Sequence, residues 1–194
     1  MNKLTRADLI SLEKYAETRK TFRDKVLEHK KDRRLAIGPN ANMYFEDRLT
    51  IQYQVQEMLR IEKVFEAAGI EEELHAYNPL IPDGSNWKAT FMLEYEDVNE
   101  RRRMLSELIG VEANVWMQVA GCTRITPIYN EDMDRSDDEK TASVHFMRFE
   151  LSEEMIKALR SGASLSAGID HPAYPYTVDS VPGNVVKSLL QDLD

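Results

Sequence analysis

Cysteine, histidine and long apolar runs are scarce in this sequence. Cys122 is the only cysteine among 194 residues, and there are four histidines. One cysteine cannot form an internal disulfide, or a cysteine-built zinc or iron–sulfur site within one chain. No stretch approaches the roughly 18 apolar residues of a membrane-spanning helix, and the N-terminus lacks the apolar core of a secretory signal,. We therefore expect a cytoplasmic protein that does not enter a membrane.

The sequence also lacks common catalytic motifs. It contains no Gly-rich phosphate loop, no Gly-x-Ser-x-Gly elbow and no His-Glu-x-x-His pair,. Its 34 acidic side chains outnumber the 25 basic ones and give a net charge of −9. This surplus opposes tight binding to a phosphate backbone, so we expect no nucleic-acid partner. The basic run at residues 29–34 is interpreted as the solvated end of a helix.

The pattern of apolar residues predicts an α+β fold in a single domain, residues 1–194. A helical N-terminal segment is expected at residues 1–33, and a mainly antiparallel sheet with further helices at residues 34–194,. A Gly-Pro-Asn turn predicts a hairpin within residues 34–45, and the alternation from Trp87 to Tyr95 predicts a half-buried strand. Further strands are expected at 114–119, 123–129, 141–151 and 163–170. The acidic stretch 130–140 is expected to be mobile.

Helical periodicity predicts the main helices of the first half of the chain. The N-terminal segment is expected to hold one helix that Thr5 caps and a second from Thr21 to Lys30,. The longest helical pattern runs from Asp47 to Ala68, and Gly69 is expected to end it,. We expect this long helix to pack across one face of the sheet.

Polar side chains are dense on the long helix, although its apolar residues occur nearly all round. Such a helix is expected to be largely buried, and buried amides and carboxylates must find partners. They either form an internal polar network or line a pocket for a polar ligand, and both alternatives stay open. The candidate ligand-binding residues, from this helix, the segment before it and the proline-rich loop at 78–87, are Glu46, Arg48, Gln54, Glu57, Arg60 and Trp87.

His145 and His171 are the candidate metal ligands, because each falls on a predicted strand or strand end. A sheet can bring two such positions together, and with Glu57 they would form a two-histidine, one-carboxylate triad for iron. The alternative is that Glu57 pairs with Arg60 and that each histidine satisfies a local hydrogen bond. If the triad forms, iron is the candidate cofactor.

Three segments carry a resemblance to a known family. They are Tyr44-Phe45-Glu46-Asp47-Arg48, Gln54-Val55-Gln56-Glu57-Met58-Leu59-Arg60 and Asn78-Pro79-Leu80-Ile81-Pro82. With these segments the chain resembles, over essentially its whole length, the domain of unknown function 3501 family of uncharacterised bacterial proteins. The resemblance implies a redox or peroxide-stress setting, with rubrerythrin-like proteins or iron–sulfur oxidoreductases as possible partners. It implies no catalytic residue.

Three functional hypotheses follow from these observations. The first is an accessory or ligand-binding protein in an iron-dependent redox or peroxide-stress system. The second is a small non-haem iron oxidoreductase that uses Glu57, His145 and His171 as ligands. The third is a protein-interaction module that binds no small molecule. The oligomeric state is left open by all three.

Overall fold

The computed structural model describes residues 2–131 and 139–194, which contain six α-helices and eight β-strands. The helices are α1 (Leu12–Lys31), α2 (Arg48–Glu62), α3 (Ala67–Tyr77), α4 (Val98–Glu107), α5 (Glu153–Arg160) and α6 (Gly183–Leu189). The strands are β1 (Arg34–Ile37), β2 (Ala41–Glu46), β3 (Asn86–Leu93), β4 (Val115–Val119), β5 (Ile128–Tyr129), β6 (Val144–Glu150), β7 (Leu165–His171) and β8 (Tyr174–Val178). Most of the stretch 130–140, expected to be mobile, lies outside the described residues.

The strands form two sheets in which every pairing is antiparallel. A five-stranded sheet has the order β1-β2-β3-β6-β5, and a three-stranded sheet has the order β4-β7-β8. The predicted α+β class with antiparallel pairing is confirmed, as are the hairpin within residues 34–45 and the strand that begins at Trp87. The second sheet was not expected, because it joins β4 to β7, which lie far apart in the sequence.

Two strands differ from the sequence prediction. The strand expected at 123–129 is reduced to Ile128–Tyr129, with a single bridge between Ile125 and Met117. Strand β8 is absent from the predicted strands, yet it pairs with β7 at the edge of the three-stranded sheet. An edge strand tolerates Pro175, because the missing N–H falls where no further strand needs a donor.

The main hydrophobic core includes the inward faces of both sheets. Alternate residues of β3, namely Trp87, Ala89, Phe91 and Leu93, are buried and join Met117 and other side chains in one apolar cluster. The intervening residues of β3 and β6 point to the opposite, outer face of the five-stranded sheet and are only partly buried. This alternation gives the larger sheet one face for the core and one face for a site.

The N-terminal segment holds one long helix where two were expected. Thr5 precedes only a short 3-10 turn, Arg6–Asp8, and the side chain of Ser11 caps the first turn of α1. The helix then continues without a break to Lys31, so the predicted second helix is its C-terminal half.

Helix α2 ends earlier than the glycine pattern predicted. Lys63 adopts a left-handed conformation, with φ 56° and ψ 40°, and its backbone N–H donates to the carbonyl of Leu59. A residue in the left-handed conformation ends a helix because its N–H satisfies one of the terminal carbonyls. Glycine usually occupies this position. Gly69 therefore lies inside the separate helix α3 and does not end α2.

Helices α1, α2 and α3 form a layer on the outer side of the five-stranded sheet. Helix α2 packs against both α1 and α3, and its contact with the sheet is near β2. A second apolar cluster lies in this layer and consists of Leu4, Ile51, Val55, Leu59, Leu74 and Ile81. Across the part of the chain that the structure describes, no helix has the length and apolar content needed to cross a membrane.

Candidate functional site

A cleft of about 620 Å³ lies between the helical layer and the outer face of the five-stranded sheet. Met58, Ala76 and Leu80 line it from the helical side, and Phe146 lines it from β6. Its size is within the range of about 300–1,000 Å³ that is typical of small-molecule sites. Its charged lining residues are Glu73, Lys88, Glu131 and Arg148. The cleft thus combines apolar walls with a few charged groups.

A smaller opening of about 400 Å³ adjoins the cleft and shares Tyr77, Leu80 and Phe146 with it. Glu46 and Gln54, two of the predicted ligand-binding residues, line this opening. The Glu46 carboxylate accepts hydrogen bonds from the Thr90 hydroxyl at 2.7 Å and the Thr50 hydroxyl at 2.6 Å. Glu46 is therefore held in place by neighbouring hydroxyls.

Lys88 occupies the cleft because it lies on the outward side of the alternating strand β3. Its Nζ donates to the carbonyl of Pro79, and the Nζ of Lys3 donates to the carbonyls of Asn78 and Ile81, each at 2.9 Å. Burial lowers the pKa of Lys88, and the charge of Lys3 lowers it further. No ion pair joins Lys88 to a carboxylate in residues 2–131 and 139–194. Lys88 is thus a partly desolvated amine beside apolar walls.

Arg148 lies beside the cleft with its charge already compensated. Its Nε and Nη2 donate to the two carboxylate oxygens of Glu131 at 2.9 Å and 2.7 Å, and its Nη1 donates to Glu150. Such a two-point pairing fixes the guanidinium plane. Arg148 therefore contributes shape and local positive potential more than an available charge.

Most polar groups of α2 belong to an internal network that holds the N-terminal segment. The carboxylate of Glu57 accepts two hydrogen bonds from Arg19, each at 2.8 Å, one from the Tyr15 hydroxyl at 2.7 Å and one from Arg60 at 3.1 Å. The side-chain amide of Gln56 bonds both the N–H and the carbonyl of Ile10. Of the two alternatives for this helix, the internal network accounts for Glu57 and Arg60.

Two further predicted ligand-binding residues also lie away from the cleft. Arg48 pairs with Asp8 at 2.5 Å and donates to the carbonyl of Asn2, so it also holds the N-terminal segment. Trp87 is 1% exposed, packs edge-on against Phe45 and donates from Nε1 to the carbonyl of Leu189 at 3.1 Å. Trp87 points to the core because it lies on the inward side of β3, one residue before Lys88.

The structure does not bring the predicted metal ligands together. His145 lies on β6, with Nε2 3.0 Å from both the Thr141 hydroxyl and the Ala142 carbonyl. His171 lies on β7 of the other sheet, where Nε2 contacts the carbonyl of Ile109 and Nδ1 accepts from the Ala173 N–H, each at 3.2 Å. Glu57 lies on α2 and is enclosed by its partners from α1 and α2. These contacts match the alternative of local hydrogen bonds.

Iron does not fit this triad as the residues are arranged. Among residues 2–131 and 139–194, no three His, Cys, Asp or Glu side chains form a group that could hold a metal ion. A facial triad needs its three ligands on one side of a single ion, and the three candidates lie on α2, β6 and β7,.

The structure contains a buried charge network that the sequence pattern did not predict. Arg33 is 1% exposed, and its Nη2 lies 2.5 Å from Asp192 while its Nε lies 3.5 Å from Asp47. His29 Nε2 lies 2.5 Å from Asp47. The basic run at 29–34 was interpreted as solvated, but it supplies two members of this network. The only sequence signal was an acidic residue within the apolar C-terminal end of the chain.

The acidic members of this network respond differently to burial. Burial raises the pKa of Asp192 to about 6, and this effect outweighs the attraction of Arg33. Burial also acts to raise the pKa of Asp47, but Arg33, the Thr50 N–H and His29 together lower it below its ordinary value. Arg33 and Asp192 are enclosed at the centre of this network, which joins α1, β2 and the C-terminus. This is a structural role.

The fold and the cleft define an α+β protein with two antiparallel sheets and a helical layer over one of them. Residues 3–193 match the family described as Protein of unknown function (DUF3501), and the chain belongs to this family. The resemblance of the three sequence segments is thereby confirmed. A crystal structure of a novel protein of unknown function from Burkholderia pseudomallei K96243 is 46% identical to the chain. The match between the two structures covers 100% of each chain, with a TM-score of 0.94. No curated protein matches the chain.

Replacing Glu57 with glutamine is expected to destabilise the protein by about 2 kcal/mol at neutral pH, the range of hydrogen bonds to charged groups. Arg19, followed by Tyr15 and Arg60, lowers the pKa of Glu57 to about 2 from its ordinary 4.5. The stabilisation from this carboxylate is therefore present above its unfolded pKa and is lost as pH falls through its folded pKa. Urea unfolding measures this loss. The difference in free energy of unfolding between the wild type and Glu57→Gln should be smaller at acidic pH than at neutral pH.

Glu62→Gln on the same helix is the matched control, because Glu62 is exposed. It should change the free energy of unfolding by less than about 0.5 kcal/mol. Equal stability of Glu57→Gln and the wild type at neutral pH would contradict the internal network.

Proposed function

We propose that this protein binds a small organic ligand in the cleft between the helical layer and the five-stranded sheet. The observation that carries the proposal is a cleft of about 620 Å³ with apolar walls and a lysine that has no carboxylate partner within the described residues. Small-molecule sites typically combine apolar lining with a few placed polar groups. The ligand would therefore have an apolar body and at least one polar group.

The wider setting of this role is part of the same proposal. The family resemblance supports an accessory function in an iron-dependent redox or peroxide-stress system. Because the predicted triad does not fit iron, the iron of such a system would be held by a partner, such as a rubrerythrin-like protein or an iron–sulfur oxidoreductase. A non-haem iron enzyme built on Glu57, His145 and His171 has no geometric support in this arrangement.

The protein-interaction alternative keeps one observation in its favour. Ile61 and Phe65, near the turn between α2 and α3, are 60% and 73% exposed. Exposed large apolar side chains that lie close together can mark an interaction site. This alternative stays a prediction beside the ligand-binding proposal, and the two roles use different surfaces.

Filling the cleft tests the ligand-binding proposal. Ala76 is exposed on α3 and lines the cleft, so Ala76→Trp should occupy the space without disturbing the core. The neutral dye Nile red should bind the wild type saturably, with its fluorescence as the readout. Ala76→Trp should weaken that binding at least about tenfold, which corresponds to about 1.4 kcal/mol.

Ala68→Trp is the matched control for this experiment. Ala68 is exposed on the same helix and lies outside the cleft lining. It also lies close in sequence to Phe65, so it would report dye bound to that apolar surface. The proposal is contradicted if the wild type shows no saturable binding, or if Ala76→Trp and Ala68→Trp bind the dye equally well.

A further inference from the structure

The position of Lys88 suggests a chemical role beyond holding a ligand. We infer that Lys88 is a nucleophilic amine that forms an imine with an aldehyde or ketone bound in the cleft. This inference rests on the proposed function, because the carbonyl compound must occupy the same cleft. It names the ligand class as a carbonyl compound with an apolar body, in keeping with walls built from Met58, Leu80 and Phe146.

The side chain of Lys88 lies where its nitrogen can reach a ligand in the cleft. Lys88 projects from β3 onto the outer face of the sheet, and Pro79, whose carbonyl accepts from its Nζ, lines the same cleft. This contact uses one N–H and positions the nitrogen at the wall of the cleft. A neutral amine has a second N–H and a lone pair. It can therefore keep the contact with Pro79 while the lone pair attacks a carbonyl carbon.

Charged side chains on several elements surround the Lys88 nitrogen. Two cations, Lys3 and Arg148, lie close enough to oppose protonation, and two anions, Asp83 and Glu131, favour it. Glu131 is engaged by Arg148, and Asp83 accepts hydrogen bonds from Ser85 and Asn86. Glu73 of α3 also lines the cleft. Burial is the main effect on Lys88, and the net result is a lowered pKa, which favours the reactive neutral amine.

A desolvated lysine beside another cation is a recognised way to obtain a nucleophilic amine near neutral pH. Lys3 supplies that neighbouring cation from the N-terminal segment, where its own Nζ is fixed by the carbonyls of Asn78 and Ile81. The turn at 78–81 thus holds both amines on one short stretch of backbone. Lys3 is a positioning residue in this inference, because it acts on the ligand only through Lys88.

The chemical step balances without any oxidant or reductant. The lone pair of Lys88 Nζ forms a bond to the carbonyl carbon, and the π electrons of the carbonyl move to oxygen. A proton passes from nitrogen to that oxygen and gives a carbinolamine. Loss of the hydroxyl group with a second proton releases water and leaves a carbon–nitrogen double bond. One amine and one carbonyl compound thereby give one imine and one water.

The test is reductive trapping with hexanal and sodium cyanoborohydride on the whole protein, followed by peptide mass spectrometry. Reduction converts each lysine that forms an imine into a stable secondary amine. The extent of modification at each lysine can then be compared. Lys88 should be modified at least about tenfold faster than Lys157, because binding in the cleft raises the effective concentration of the aldehyde. Lys157 is a suitable reference because its side chain is 77% exposed.

The variant Lys3→Met tests whether Lys88 reacts because of its neighbouring cation or only because it is accessible. Loss of the neighbouring cation should raise the pKa of Lys88, so the pH profile of its modification should move to higher pH, while that of Lys157 should stay unchanged. Lys63→Met, which removes an exposed lysine on another turn, should leave both profiles unchanged. If Lys88 is modified no faster than Lys157, or if Lys3→Met leaves its profile unmoved, the inference is wrong.

The outcomes for the two proposals can be told apart. Saturable Nile red binding that Ala76→Trp weakens, without preferential trapping at Lys88, would overturn the inference and leave the ligand-binding function standing. Absence of both dye binding and preferential trapping would overturn both. Preferential trapping at Lys88 that Ala76→Trp abolishes would support both, because the aldehyde would then reach Lys88 through the cleft.

Discussion

Replacing Arg33 with methionine is expected to lower the free energy of unfolding by about 3–5 kcal/mol, the cost of removing one partner from a buried ion pair. The guanidinium donates to the carbonyls of Phe45 and Glu46 at 2.9 Å and 3.0 Å and contacts the hydroxyl of Ser188 at 3.1 Å. It also lies between the carboxylates of Asp47 and Asp192. Methionine fills a similar volume but satisfies none of these groups.

The stability deficit of Arg33→Met should depend on pH. Burial already raises the pKa of Asp192 to about 6, above its ordinary 3.8. The contribution of this group to stability is therefore fully present below its unfolded pKa and is lost as pH rises through about 6,. Without Arg33, the pKa values of Asp192 and Asp47 should both rise, since each carboxylate loses a cation. The deficit should consequently be larger in mildly alkaline than in acidic buffer.

Chemical unfolding of the wild type and Arg33→Met across this pH range measures both effects. Arg34→Met is the matched control, because the adjacent arginine has a side chain that is 52% exposed and a distant ion pair at 4.0 Å. Its removal should cost less than about 1 kcal/mol. A small, pH-independent loss for Arg33→Met would show that the buried network contributes little to folding.

This network also illustrates where sequence reasoning stops. Arg33 and Asp192 are 159 positions apart, and nothing in the local pattern around either residue identifies the other. The basic run at 29–34 has the composition of an ordinary solvated helix end. Lys31, which is exposed at the end of α1, fits this description. Whether a basic side chain is solvated or buried depends on what the rest of the chain brings to it, and that is a property of the tertiary fold.

Local patterns were more informative than long-range ones. The hairpin within residues 34–45 and strand β3 were predicted because turn residues and alternation are encoded in a few neighbouring positions,. The end of α2 was not predicted because Lys63 adopts the left-handed conformation. A residue with a side chain normally disfavours this conformation. The division into two sheets was missed because strand pairing joins distant segments, such as β4 and β7.

The candidate site shows the same division. Glu46 and Gln54 line the smaller opening, as the density of polar residues before and within α2 suggested. Lys88 lies within the strand that the alternation from Trp87 to Tyr95 predicted, but only the placement of α2 and α3 opposite its outer side turns its surroundings into a cleft. Trp87 and Lys88 are neighbours in sequence, yet strand geometry sends one to the core and the other to the cleft.

Trp87→Ala is expected to cost about 3–5 kcal/mol of folding stability, the usual range for truncating a buried aromatic side chain. The ring is among the largest fully buried side chains, it packs against Phe45, and its Nε1 donates to the carbonyl of Leu189. Removal leaves a cavity in the main core and deletes the hydrogen bond to the carbonyl of Leu189. Thermal or chemical unfolding measures the loss.

Phe65→Ala is the matched control for Trp87→Ala, because it removes an aromatic ring that is 73% exposed and should change stability by less than about 0.5 kcal/mol,. Trp87→Phe gives a folded variant in which the function can be tested. It keeps most of the ring volume and loses only the hydrogen bond to Leu189, at a cost of about 1–2 kcal/mol. Because Trp87 faces away from the cleft, Trp87→Phe should bind Nile red as tightly as the wild type. Weakened dye binding by a Trp87→Phe protein that is still folded would instead place Trp87 in the ligand site and return it to the role that the sequence suggested.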